Sequence, residues 1–250
     1  MRILISNDDG INAPGLAVLE SVAAQVSDDV WVVAPETEQS GAAHSLTLHR
    51  PLRVRHIAPQ RFAVDGTPTD CVMLALNKLI SGCRPDLMLS GINMGANLAD
   101  DVTYSGTIAA AFEAALLGIP AIALSQQWLR DGVEPWKVAE AHAGRLISRL
   151  ISIGWPADVV INVNFPDRPL DQVEAAVVGR QGRRKYGDIL SERVDPRGVP
   201  YYWISGTREA MPAAPGTDIA AVANGAISVT ALHLDMTDEA TCAELQRALS

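Results

Sequence analysis

Apolar residues recur along the chain in two textures. Ile3, Leu4 and Ile5, inside Arg2–Ser6, make a run without alternation, the pattern of a strand buried on both faces. Asn7-Asp8-Asp9-Gly10 ends it with turn-forming residues. After Pro14, placed to begin a helix, Leu16, Leu19, Val22, Ala23 and Val26 return at helical spacing. A second apolar run, Val30–Ala34, stops at Pro35. Strand, helix and strand in this order predict a βαβ unit, and with it a parallel sheet joined by a right-handed crossover.

The same alternation continues. Thr69–Ile80 reads as a helix, with Pro68 before it and Asp70 in its first turn. Asp86–Ser90 reads as a buried strand, and Ser105-Gly106-Thr107 opens an alanine-rich helix ending at Leu117, with Gly118 and Pro120 beyond. Ala121–Ser125 and Val159–Val163 are further strands, separated by an amphipathic helix over Trp136–Ile151. Ser45–Val64 alternates weakly and predicts an antiparallel excursion. Past Phe165-Pro166 the texture changes: residues 167–225 are rich in Pro, Gly and Arg and predict hairpins and extended arms. Ala226–Leu232 is a last strand and Asp238–Leu249 a terminal helix. No internal repeat or low-complexity tract is present. The expected architecture is α/β, a Rossmann-like, doubly wound, mostly parallel sheet forming a single domain over 1–250. Residues 1–165 make its core and 166–250 a less regular extension.

Composition narrows the function. At 250 residues, 48% hydrophobic and 20% charged, the chain is globular, with one large domain expected. A net charge of −9 is wrong for the broad positive field of a duplex-binding protein, although a small nucleotide needs only a local site. Cys71, Cys83 and Cys242 are odd in number, far apart and without a CxxC pair, so neither a disulfide framework nor a zinc site is expected and all three read as buried thiols. The N-terminus reaches charge within MRILISNDDG, and the most apolar stretch, Ile108–Leu124, is broken by Glu113, Gly118 and Pro120. Neither a signal peptide nor a membrane span is expected, and the cytoplasm is the expected compartment.

Open parallel sheets bind ligands outside the carboxyl ends of their strands, so the loops there carry the candidate chemistry. Asp8 and Asp9 are consecutive, and consecutive side chains converge only where a strand has ended. Two carboxylates about 4 Å apart repel by about 4 kcal/mol at an effective dielectric of 20. A divalent cation turns that penalty into a binding site, and Mg²⁺ or Mn²⁺ prefers such oxygen ligands; a helix cap or Asx turn is the plainer use of the same pair. In the loop after Val30–Ala34, Ser40 can offer a neutral oxygen to a metal and His44 can act as acid, base or phosphate contact. In the loop after Asp86–Ser90, Asn93, Asn97 and two glycines precede the helix start at Ser105-Gly106-Thr107, whose free amides suit an anion. Ser105 serves equally as a plain helix cap. The loop is neither a Walker A sequence nor GxGxxG.

These blocks closely resemble the SurE (survival protein E) family of 5'/3'-nucleotidases. The resemblance rests on ILISNDDGINAPG at the start, QSGAAHSLT at 39–47, VDGTPTDCV at 64–72 and SGINMGANLADDVTYSGTIAAAFEA at 90–114. GRQGRRKYGD at 179–188, YYW at 201–203 and ISVTALHLD at 227–235 extend it over nearly the whole chain. Departures are Gln39, where the family usually has arginine, Ala43, where it often has glycine, and Ala96, where it often has proline; none removes a proposed ligand. The resemblance implies a metal-dependent phosphatase releasing phosphate from nucleoside monophosphates, at the 5' and also the 3' position, with polyphosphate a further substrate. It implies one divalent ion per subunit, Mg²⁺ or Mn²⁺, on Asp8, Asp9, Ser40 and Asn93. Phosphate-side positions fall on Asn97, Ser105, Gly106 and Thr107. It also implies a homodimer or homotetramer whose C-terminal arm, residues 180–235 here, reaches a partner subunit.

In the expected chemistry Asn97 and the Gly106 and Thr107 amides stabilise charge on the phosphoryl group. Asp8 orients water or attacks phosphorus, and His44 protonates the leaving alkoxide. The dense basic cluster Arg180, Arg183, Arg184 and Lys185 reads as a solvated or intersubunit loop, or as a contact for a longer anion. Two rivals share the acidic start. A phospho-receiver module needs an acceptor aspartate where this chain has Ser90 and Gly91, and a haloacid-dehalogenase-type phosphatase needs acid-x-acid where this chain has Asp8-Asp9.

Overall fold

A computed structural model describes residues 1–128, 135–184, 189–205 and 213–250. Its strands and helices follow in the order β1 (Arg2–Ser6), α1 (Pro14–Ala24), β2 (Asp29–Pro35), β3 (Val54–Ala58), β4 (Arg61–Val64), α2 (Pro68–Leu74), β5 (Leu87–Met94), α3 (Gly106–Leu116), β6 (Ala121–Gln126), α4 (Lys137–Ile153), β7 (Val159–Phe165), β8 (Glu174–Val178), β9 (Ile189–Val194), β10 (Pro200–Ser205), α5 (Asp218–Ala223), β11 (Ala226–His233) and α6 (Glu239–Leu249). Nine strands form one sheet in the order β3-β4-β2-β1-β5-β6-β7-β11-β8. From β4 to β7 every neighbour is parallel; β3 joins β4, and β11 joins β7, antiparallel. This is the expected doubly wound, mostly parallel α/β sheet.

Its two faces are covered differently. Ile3 and Ile5 of β1 belong to a core packed with Leu16 and Leu19 of α1 and Ala139, Ala143 and Ile147 of α4. Leu4 points the other way, into a core with Val72 of α2 and Ile108, Ala111 and Ala114 of α3. Burial on both faces is why β1 shows no apolar–polar alternation.

Several elements depart from the sequence expectations. The helix expected over Thr69–Ile80 begins at Pro68, where Thr67 and Asp70 form a reciprocal cap, and winds as a π-turn over Ala75–Leu79. The antiparallel excursion is confined to β3 and β4. β5 runs past Ser90 to Met94 through a bulge: Ser90 pairs with Ala123 but Asn93 with Ser125, so β5 carries one extra residue. Gly91 is the reason. At φ +132° a Cβ there would lie 2.2 Å from the Leu124 carbonyl oxygen, so a residue that reads as loop onset is a strand irregularity. Within the extension, β11 and β8 complete the main sheet, whereas β9 and β10 form their own hairpin. Of the cysteines only Cys71 is buried; Cys83 lies in an exposed turn and Cys242 on α6, a helix with no buried residue. Among the described residues no helix is long and apolar enough to cross a membrane.

Candidate functional site

The sheet order changes direction at β1: β2 lies on one side and β5 on the other. The loops leaving β1 and β5 therefore diverge and open a crevice at their carboxyl ends, where α/β sheets hold ligands. Asp8 and Asp9 stand there. The Met94 amide at the end of β5 donates to Asp9 Oδ2 at 3.4 Å, which brings Asn93 beside the acidic pair.

Asp8 is buried, only 4% exposed, and faces the start of α3. Thr107 Oγ1 donates to Asp8 Oδ1 at 2.5 Å, and the amides of Gly106 and Thr107 donate to the same carboxylate. The positive end of a helix dipole thus meets a buried anion. Gly106 makes the approach possible, because a Cβ there would lie 2.7 Å from Asp8 Cβ and 3.0 Å from Asp8 Oδ2. Burial nevertheless outweighs these donors and raises the Asp8 carboxyl above its ordinary range. Asp9 is pushed up to about 6, first by burial, then by the charge of Asp8 and that of Glu38, against the Met94 amide. No cationic side chain pairs with either aspartate among the described residues.

The loop after β2 reaches the pair through its backbone, the Gln39 amide donating to the Asp8 carbonyl at 2.7 Å. Ser40 Oγ donates to Glu38 Oε1 at 2.9 Å, and so its oxygen is kept next to the acidic group. Asn93 Nδ2 donates to the Gly95 carbonyl at 2.8 Å, which leaves Oδ1 as an acceptor. Two carboxylates, an amide oxygen and a hydroxyl oxygen would make a hard, oxygen-only donor set, of the chemistry that suits Mg²⁺ or Mn²⁺. Among the described residues no group of three or more His, Cys, Asp or Glu side chains is arranged for a metal, so such a site must draw half its donors from neutral oxygens.

Other expected residues are placed differently. The Gly106 and Thr107 amides, expected at phosphate, are directed at Asp8. Ser105 caps α3, its hydroxyl accepting from the Ile108 amide at 3.1 Å. His44 joins Glu113 of α3 through Nε2 at 2.9 Å, with Phe112 beside its ring, and does not join Asp8 or Asp9. In the basic cluster Arg184 is tied to Asp101, and its amide to Asp100 at 2.7 Å, so it is not part of a free cationic patch; Lys185 lies outside the described residues. Arg180 and Arg183 are exposed.

Sequence reasoning missed the support beneath Asn97. Asn164 Oδ1 accepts from the Asn97 amide at 2.8 Å, while Asn162 Nδ2 and Asn164 Nδ2 donate to the Asn97 carbonyl at 2.9 and 3.1 Å. Asn97 Nδ2 donates to Ser125 Oγ at 2.8 Å. Asn162 and Asn164 are fully buried on β7 and, two apart, share one face. The readable signal was two asparagines inside the apolar run VVINVNF.

The family described as "Survival protein SurE" matches residues 3–188. Among its relatives, the chain is 54% identical over 251 residues to a protein of Methylocella silvestris, covering 100% of both chains. To one of Brucella canis it is 55% identical over 252 residues, covering 100% of this chain and 98% of the other. A protein of Paramagnetospirillum magneticum is 58% identical over 237 residues, 95% of this chain and 91% of its own. All three are named 5'-nucleotidase SurE. The crystal structure of the SurE protein from Aquifex aeolicus superposes over 100% of both chains with a TM-score of 0.86 at 38% identity.

Proposed function

Because the chain belongs to the survival protein SurE family, we propose that it is a 5'-nucleotidase, a divalent-metal-dependent phosphatase releasing phosphate from nucleoside monophosphates. The observation that carries the metal dependence is the pairing of buried Asp8 with half-buried Asp9 at the switch point of the sheet, held together without a cationic partner among the described residues. Asp8, Asp9, Ser40 and Asn93 would hold one Mg²⁺ or Mn²⁺ per subunit. When bound, such an ion polarises a phosphoryl oxygen and lowers the pKa of water.

The chain's own residues supply the rest. Thr107 and the Gly106 and Thr107 amides favour the ionised form of Asp8 against its burial and orient it, the position from which it aligns water or attacks phosphorus. Asn97, clamped from β7, and the capped α3 start at Ser105 face the phosphate side and favour the charge that develops there. His44, oriented by Glu113, protonates the leaving alkoxide. In this reading the enzyme works in the cytoplasm on small nucleotides, the 3'-monophosphates and polyphosphate included, and neither duplex nucleic acid nor membrane is a partner. Homodimers or homotetramers form through the C-terminal arm, where Leu190, Tyr202, Trp203 and Ile204 of the β9–β10 hairpin stand exposed.

The deciding experiment measures phosphate release from nucleoside monophosphates with chelator, with Mn²⁺ restored, and in Asp9→Asn. Chelator abolishes turnover, Mn²⁺ restores it, and Asp9→Asn lowers it by at least ~10²-fold, the lower end for single catalytic groups. Full activity in excess chelator contradicts the metal-dependent reading.

A further inference from the structure

Asp9 borders a cavity of about 190 Å³ walled by Pro14, Gly15, Met94 and Trp136, with Glu38 on its rim. The apolar wall is built tightly. A Cβ on Gly15 would lie 2.8 Å from the Trp136 ring and 2.0 Å from the Ile92 carbonyl oxygen, so α1, the bulged end of β5 and Trp136 meet only because residue 15 lacks a side chain. Glu38 is exposed, uses Oε1 to accept from Ser40, and as a carboxylate has acceptor capacity left for a ligand hydroxyl.

We propose that this cavity is the leaving-group subsite and that it takes the ribose ring, with Glu38 accepting from the ribose hydroxyls. The assignment rests on the nucleotidase reading. The volume is below the ~300 Å³ at which pockets begin to hold whole drug-sized ligands, which suits one ring and leaves the base beyond the rim. In a nucleoside 5'-monophosphate the sugar is the first ring past the ester, and Asp9 itself lines the cavity. Aliphatic and aromatic walls match the C–H faces of a sugar, and the Glu38 carboxylate matches its hydroxyls. Glu38 and Trp136 are then specificity-determining residues, selecting the sugar while tolerating the base.

The test compares kcat/KM at saturating Mn²⁺ for adenosine 5'-monophosphate, 2',3'-dideoxyadenosine 5'-monophosphate and methyl phosphate, in wild type, Glu38→Ala and Trp136→Leu. Wild type favours the ribonucleotide over the dideoxynucleotide by roughly tenfold or more, the scale of a hydrogen bond to a charged group, and Glu38→Ala closes that gap. Trp136→Leu raises KM for both nucleotides relative to methyl phosphate. A wild type that treats the two nucleotides alike, or a gap unchanged in Glu38→Ala, overturns the subsite while leaving the hydrolase intact. A wild type that hydrolyses none of the three overturns the nucleotidase reading and the subsite with it.

Discussion

Thr107→Val isolates what holds Asp8. Valine keeps the branched shape of threonine and deletes the one side-chain donor to a carboxylate that is only 4% exposed, leaving its backbone donors in place. A hydrogen bond to a charged group contributes about 1.5–3 kcal/mol, and its loss falls on the ionised form of Asp8 alone. That loss raises the carboxyl further in the direction burial already takes it. Protons then compete with the cation over a wider range, and loss of such a supporting partner costs roughly 10–100-fold in metal affinity or activity. The assay is calorimetric titration with Mn²⁺ at pH 6 and pH 8, together with phosphate release at both. Thr107→Val is expected to bind Mn²⁺ 10–100-fold more weakly, with the larger deficit at pH 6, and Thr107→Ser, which restores the hydroxyl, to recover most of it. Unchanged Mn²⁺ affinity with an unchanged pH profile would refute the claim that the start of α3 acts through Asp8.

Three further outcomes are expected. Gly106→Ala should lower the melting temperature: alanine's helix preference of up to about 1 kcal/mol is outweighed by a Cβ 2.7 Å from Asp8 and 3.1 Å from Pro68, an overpacking of about 1–3 kcal/mol, and a stabilised variant would contradict the geometry. For metal-free protein, Asp9 sits at about 6 when folded against 3.8 in its reference state, so the fold holds this proton more tightly than the unfolded chain. Its contribution is present at low pH and is lost as pH rises through about 6, by at most about 3 kcal/mol; urea midpoints at pH 5 and pH 7.5 should therefore diverge more in wild type than in Asp9→Asn, and equal divergence rejects the assignment. Asn164→Leu strips the Asn97 amide of its acceptor inside the protein, at about 1–3 kcal/mol per orphaned group, and both the urea midpoint and kcat should drop, whereas a kcat untouched in folded variant removes the clamp from the mechanism.

Local chemistry made the order of strands and helices and the acidic turn readable. Runs such as Ile3–Ile5 and Val30–Ala34 report burial on both faces, Pro14 and Pro68 mark helix starts, and Asp8-Asp9 after a strand sets two carboxylates together at a loop. The glycine-bearing segment over residues 91–107 is harder to read, because a glycine serves a loop, a bulge and a close approach equally well. Gly91 turned out to shape a bulge in β5, and Gly106 to admit Asp8 to a helix end.

What the residue order could determine alone was every feature governed by neighbours a few positions apart: strand and helix periodicity, the prolines at helix starts, and the adjacency of two carboxylates. Only the tertiary structure decided which partners those groups use. Thr107 serves Asp8 across 99 positions, Arg184 is drawn to Asp101 across 83, and Asn164 grips Asn97 across 67. Such pairings depend on where the crossovers bring strand ends together, and hydrogen bonds between groups so far apart in sequence leave no periodic trace along the chain.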